Sequence, residues 1–335
     1  MWSAAAFAAA SKRGSSTTAL QEYNMSEHIS IHEYPIFEKG IFKKYPALFD
    51  AYFRNTPDHQ KKKYQKARRT ISKYEEQYKW RVINGPGLCG TTHPGRGKVF
   101  HGVMTGATHP VYNSDCLYVN PSQNVFAVSD PPGVTTFSRD LITRLDEFLK
   151  LDSVEQLEDM VNEVNQNAGT GLRDRATLAL VHLPTNNPNE ASALLSGDSH
   201  LFHGNSLKKT ISRLEAVPNR WGTPNAYFKL VSVKLSKGDF FVLASDGIDV
   251  VRSSSQTNNL NDTILNLAIS DSDNFALNIA LNCNEIIEQE TAGQTRTVFG
   301  CGDDLSAILI EPAKLQPTDS NESHILGGYV EWKTP

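Results

Sequence analysis

The chain has 335 residues, 39% of them hydrophobic and 21% charged, with a formal net charge of -4. That is ordinary for a globular protein long enough to bury a core without staples, and the charge balance predicts neither a nucleic-acid nor a membrane-surface partner. No stretch supplies the ~20 apolar residues that span a bilayer. The four cysteines, Cys89, Cys116, Cys283 and Cys301, are widely spaced and form no C-x-x-C pair, so they read as buried free thiols of a reducing compartment.

In chain order, residues 1–24 read as a leader. Residues 1–21 carry Ala, Ser and Thr, two basic residues and no acid. That composition suits a mitochondrial-type targeting peptide, a disordered leader or an expression scar, and otherwise the expected location is intracellular and cytoplasmic. Residues 25–80 read as a helical N-terminal extension. Thr56, Pro57 and Asp58 make a helix start, with a capping hydroxyl, proline in the first turn and an acid at the positive dipole end. The helix then carries Lys61, Lys62, Lys63, Lys66, Arg68 and Arg69. This is either a solvated face, the preferred reading, or a docking surface for an acidic partner.

Residues 81–311 read as the main folded domain. Residues 81–112 have some strand character and no clear period. The run VFAVS at 125–129 is too short for a helix and reads as a buried strand, ended by Asp130, Pro131, Pro132 and Gly133. A helix is expected at 135–150, with Leu141, Leu145, Phe148 and Leu149 on one face. A capping box at Ser153 and Gln156 opens the next. Short strands follow at 177–182, 193–196, 228–233 and 240–244, then helices capped near Asp262 and Asp273, then a last strand at 305–310. Strands and helices are partly segregated, which favours α+β, with sheets between helix layers. Residues 312–335 read as a polar tail.

The chemistry lies in aspartates at strand ends. Asp130 follows VFAVS, Asp246 follows FFVLAS, and Asp303 and Asp304 precede LSAILI. Carboxylates converging at a sheet rim repel unless a cation neutralises them, and all-oxygen ligands suit hard divalent cations.

The order and flanks of these residues carry a resemblance. FAVSDPPG at 126–133 resembles the "FxVxDGHGG" segment of PP2C-type (PPM family) Ser/Thr phosphatases. SGDS at 196–199 is similar to their "NxGDSR" turn, and FFVLASDGI at 240–248 to "DxFLILASDGLWD". GDDLS at 302–306 is similar to the family's "xDNxS/T" ending, and NSD at 113–115 to "NED/MED". The five motifs stand in family order over about 113–310.

The resemblance implies an α-β-β-α sandwich of two mainly antiparallel sheets. It implies two divalent cations, Mg2+ or Mn2+, and a metal-bridging hydroxide as nucleophile. Asp130 then matches the bridging ligand, Pro131 the carbonyl ligand, and Asp246 and Asp303 the remaining carboxylates. Asp115 matches an acid that holds metal-bound water. Asp198 is read as a turn residue, and Asp304, at the family's Asn position, is left outside the metal ligands.

The chain departs from the family where phosphate is gripped. The arginine expected before the "ED" pair is Pro110 here, with His109 as the nearby substitute donor, and the acid of "ED" is Ser114. The leading expectation is a protein Ser/Thr phosphatase, monomeric, acting on a phosphoprotein. Two alternatives stand beside it: removal of a phosphodiester-linked AMP or phosphocholine from a modified protein, and a catalytically dead binding module.

Overall fold

The computed structural model describes residues 29–35, 79–93, 98–100, 103–105, 113–132, 135–151, 157–166, 175–222, 227–250, 259–284, 286–291, 294–299, 304–316 and 322–329. In chain order the strands among them are β1 (Ser30–Pro35), β2 (Lys79–Gly85), β3 (Leu88–His93), β4 (Lys98–Phe100), β5 (Val103–Thr105), β6 (Asn113–Asn120), β7 (Val125–Ser129), β8 (Leu178–His182), β9 (Glu190–Ser196), β10 (His200–Asn205), β11 (Thr210–Leu214), β12 (Lys229–Lys234), β13 (Asp239–Ala244), β14 (Ile286–Thr291), β15 (Gln294–Phe299), β16 (Leu305–Ile310) and β17 (His324–Tyr329). The α-helices are α1 (Phe137–Leu151), α2 (Leu157–Gln166), α3 (Leu260–Ser270) and α4 (Phe275–Asn284).

Two sheets form the body. One runs β1-β2-β3-β16-β13-β10-β11 and the other β12-β9-β8-β7-β6-β17, with antiparallel pairing throughout. Alternation along the strands builds three cores. Phe126 and Val128 of β7, Phe241 and Leu243 of β13, and Ile308 and Ile310 of β16 meet between the sheets. Val125 and Ala127 turn outward against Leu141, Leu145 and Val161 of α1 and α2. Phe240, Val242 and Ala244 turn outward against Ile264, Phe275 and Ile279 of α3 and α4. Strands covered on both faces read as unbroken apolar runs, which is why VFAVS, FFVLA and LSAILI stood out in the sequence. The fold is α+β, an α-β-β-α sandwich of two antiparallel sheets, as the sequence implied.

The structure corrects several elements. Residues 30–35, inside the segment read as a helical extension, form β1 and pair with β2, where Tyr34 stacks on Trp80 at 4.6 Å between ring centroids. Residues 324–329, inside the supposed polar tail, form β17 beside β6. Gly327 and Gly328 disguise that strand. Both have positive φ, 78° and 65°, and a side chain on Gly327 would strike the carbonyl oxygen of Asp115. Arg139 of α1 clasps the strand by donating to the carbonyls of Ile325 and Gly327.

Helix α3 is capped by Asn259, whose side chain accepts from Asp262 N, so Asp262 lies in the first turn rather than at the cap. The helix expected near Asp273 is α4, which ends at Asn284. The leader, the Thr56–Asp58 helix start, the basic run at 61–69 and the Ser153 capping box lie outside the described residues. Cys89 and Cys116 are buried free thiols. Among the described residues, no helix is long and apolar enough to cross a membrane.

Candidate metal centre

The acids meet on one rim of the sandwich, where strands of both sheets end. Asp130 leaves β7 directly after Ser129, and β6 pairs Cys116 with Ser129, which sets Asp115 one rung further on, opposite Asp130. Asp246 opens the 3-10 turn Asp246–Val250 after β13, and Asp304 immediately precedes β16. Asp115 and Asp130 thus belong to the six-stranded sheet, and Asp246 and Asp304 to the seven-stranded one.

Hydrogen bonds join the two sides. Ser114 donates from its backbone N at 2.7 Å and its hydroxyl at 2.6 Å to the same oxygen of Asp304. Asp304 is buried and through these bonds holds the strand of the other sheet. Ser245 donates from its backbone to Ser306 O, and its hydroxyl accepts from Ser306 N. Gly247 lies so close to the Asp304 carbonyl that a side chain there would collide with it.

Thr177, fully buried, anchors the Asp130 loop. Its Oγ1 accepts from Asp130 N at 2.9 Å, its N–H donates to Asp130 O at 2.8 Å, and its carbonyl accepts from the Ser129 hydroxyl at 2.7 Å. Thr177 Oγ1 also shares a 2.5 Å hydrogen bond with Ser199 Oγ in the Gly-Asp-Ser turn.

The electrostatics are those of crowded acids. Burial, and then the charge of Asp246, pushes the Asp130 carboxyl up to about 8, against a hydrogen bond to Asp115 and the nearby Arg220 cation. Burial likewise holds Asp115 well above the usual carboxylate range, with Asp130 and Asp304 adding repulsion. One oxygen of Asp115, Oδ2, is buried without a hydrogen-bond partner. Acids in this situation hold a proton or a cation near neutral pH, and the exclusively oxygen donor set fits a hard divalent cation.

Among the described residues, no three His, Cys, Asp or Glu side chains form a group that could hold a metal ion. Two of the expected site residues, Asp303 and His109, lie outside the described residues. Asp130 lies near Asp115 and near Asp246, without the three closing into such a group, and Pro131 is buried directly after Asp130.

Two residues on this rim were missed by sequence reasoning. His93 ends β3 opposite Leu305 and so lies beside Asp304. Arg220 pairs with Asp198, its Nη2 2.9 and 3.2 Å from the two carboxylate oxygens. A hydrogen bond from Ser196 to Asn219 O places it there, and no local motif announces that link.

No family model matches the chain. No curated protein matches it either. Solved structures to which it is similar include PppA of Pseudomonas aeruginosa, a regulatory component of T6SS, at 16% identity over 67% of this chain and 96% of that one, TM-score 0.45. The PPM Ser-Thr phosphatase MsPP of Mycobacterium smegmatis, in complex with cacodylate, is 15% identical over 67% and 97%, TM-score 0.45. The catalytic domain of the serine threonine protein phosphatase PstP, in complex with 2 manganese ions, is 15% identical over 68% and 97%, TM-score 0.43.

Proposed function

We propose that this chain is a metal-dependent phosphoester hydrolase, acting as a protein Ser/Thr phosphatase. The observation that carries the reading is a row of neighbouring acids on one rim, Asp304 beside Asp115, Asp115 beside Asp130 and Asp130 beside Asp246, with Asp130 raised to about 8 by burial and its neighbour Asp246. Carboxylates so placed are costly to fold unless a cation uses them.

Asp130 and Asp246 are the described residues that would hold the ions, with Asp303 and the Pro131 carbonyl completing the expected set. Divalent cations bound there would supply hydroxide at neutral pH and neutralise charge on the phosphoryl group. Asp115 faces Asp130 and orients its carboxylate by a side-chain hydrogen bond. Ser114 and Asp304 tie the two sheets together at the rim, and Thr177 fixes the backbone from which Asp130 projects. The phosphoprotein substrate is proposed from the motif resemblance.

The test measures Mn2+- or Mg2+-dependent release from three substrates: a phosphopeptide, an AMP-modified protein and bis-p-nitrophenyl phosphate. Preferential hydrolysis of the phosphopeptide, abolished in Asp130→Ala with folding retained, is the expected result. Preference for a diester would replace the phosphatase reading with the phosphodiester one. No turnover of any substrate together with no metal binding would overturn both.

A further inference from the structure

The end of the sandwich opposite the acid rim has a surface of its own. Asp130 and Asp246 follow the last residues of β7 and β13. The β6–β7, β8–β9, β10–β11 and β12–β13 connections stand at the other ends of the strands, on the order of 20 Å away. A cleft of about 230 Å3 opens there, with Pro121, Leu183, Pro184, Leu235, Pro312 and Leu315 among its walls. The three leucines sit at the edge of the intersheet core, where Leu235 and Leu315 are only partly covered. Leu183 N donates to Asn124 O at 3.0 Å and Leu235 N to Asn189 O at 2.8 Å, so backbone bonds hold the walls and the prolines stiffen them. The volume lies below the ~300–1,000 Å3 of small-molecule sites, a size for one or two apolar side chains rather than a cofactor.

A positive patch borders the cleft. Leu235 opens the turn that carries Lys237, and that turn is laced to the one carrying Lys208 and Lys209. Ser206 N donates to Gly238 O at 2.8 Å, and Asn205 Nδ2 donates to Lys237 O at 3.1 Å. Lys208, Lys209, Lys234 and Lys237 are exposed, and among the described residues none of them is in an ion pair. Two carboxylates are in register with the patch, Glu190 opposite Lys234 and Asp239 opposite Asn205. Both are engaged: Glu190 accepts from Asn187 and the Ser232 hydroxyl, and Asp239 from Ser236 N and Asn205 Nδ2. The lysines outnumber these acids, so the patch is positive on a chain whose net charge is -4.

We propose that this end docks an extended acidic segment of a partner protein. An apolar side chain of the segment enters the cleft, and its carboxylates lie over Lys208, Lys209 and Lys237. Buried apolar contact then supplies affinity, and the complementary charges supply orientation and a fast encounter. The concave, leucine-floored shape suits a side chain. A lipid surface would instead meet the projecting Leu207, which is 66% exposed. A segment bound here leaves the acid rim open, and its binding does not depend on what the rim does.

The test pans a phage-displayed library of random dodecapeptides against the immobilised full chain. Enriched peptides, synthesised and followed by fluorescence anisotropy, should carry Asp or Glu beside Leu, Ile, Val or Phe. Their affinity should fall as salt rises. It should fall about tenfold or more in Lys208→Glu/Lys237→Glu and in Thr185→Tyr, which sets a ring over the cleft, and hold in Lys208→Arg/Lys237→Arg. All three variants exchange exposed side chains and should keep the wild-type melting temperature.

No enrichment, or enriched peptides indifferent to salt or to both weakening variants, would overturn the proposal. Binding to phosphatidylserine vesicles that is lost in Leu207→Ser and kept in Thr185→Tyr would assign this end to a lipid surface instead. Self-association of the chain, lost in Lys208→Glu/Lys237→Glu, would assign it to a second copy. Either result overturns the acidic segment of a partner. Every readout is binding, so a chain that hydrolyses no ester leaves the test intact.

Discussion

Replacing Thr177 by valine removes one oxygen and keeps the shape of a fully buried side chain. That oxygen accepts from Asp130 N and is hydrogen-bonded to Ser199 Oγ, so two polar groups lose their partner at once. A buried group left unpaired costs about 1–3 kcal/mol, which puts Thr177→Val at about 2–4 kcal/mol. For a domain of this size that is a fall in Tm of about 5–10 °C. Because the same oxygen fixes the backbone from which Asp130 projects, Mn2+ affinity should drop about tenfold, as when the support of a ligand is lost. Thr177→Ser separates the two effects. It keeps the hydroxyl and gives up only the methyl that lies 2.7 Å from where a Gly197 side chain would begin. It should cost about 1 kcal/mol and leave Mn2+ affinity unchanged. Differential scanning fluorimetry and a Mn2+ titration measure both quantities. A valine variant with wild-type Tm and wild-type metal affinity would refute the role given to Thr177.

Gly247→Ala drives a methyl into the Asp304 carbonyl and must displace the Asp246 turn. It should cost about 2–3 kcal/mol and weaken Mn2+ binding, and an unshifted melting curve would contradict the close approach. Ser114→Ala removes the 2.6 Å hydroxyl bond to the buried Asp304 carboxylate and should destabilise by about 1.5–3 kcal/mol, with a strongly non-additive double variant Ser114→Ala/Asp304→Asn. His182 is buried, and burial lowers its pKa from 6.5 to about 4. The unfolded chain then binds the extra proton first, so this contribution is complete above about pH 6.5 and is lost as pH falls towards 4, at most about 3 kcal/mol. His182→Gln should flatten the fall in Tm between pH 7 and 4.5, and an identical pH profile in wild type and variant would exclude the effect.

The parts of the molecule legible in its sequence are those governed by local pattern. β7, β13 and β16 are covered on both faces, and their apolar runs mark both the strands and the aspartates that cap them. The elements that escaped are set by distant partners. β17 pairs with β6 roughly two hundred residues earlier in the chain, and its two glycines read as loop because the backbone contact that requires them is not visible in one dimension. β1 depends in the same way on β2. At the site, the strand-end positions of Asp130 and Asp246 were legible, whereas the bond by which Asp304 holds Ser114 on the other sheet joins residues 190 apart and leaves no local pattern. Arg220 had no signal at all, since its loop is placed by bonds to residues distant in sequence, Ser196 to Asn219, Ala176 to Trp221 and Gly222 to Asn165.

The seam between the sheets has a mechanical side. Four acids divided between two rigid plates make their spacing a property of the filling between the plates. Phe126, Phe241, Leu243 and Ile308 are buried between the sheets, and their thickness helps set the gap between Asp130 and its neighbour Asp246. Interiors are close-packed, so a trimmed methylene there is transmitted to the rim. The intersheet core works as a gauge, and the spacing of the acids can be changed from the middle of the sandwich, without altering any acid at its edge.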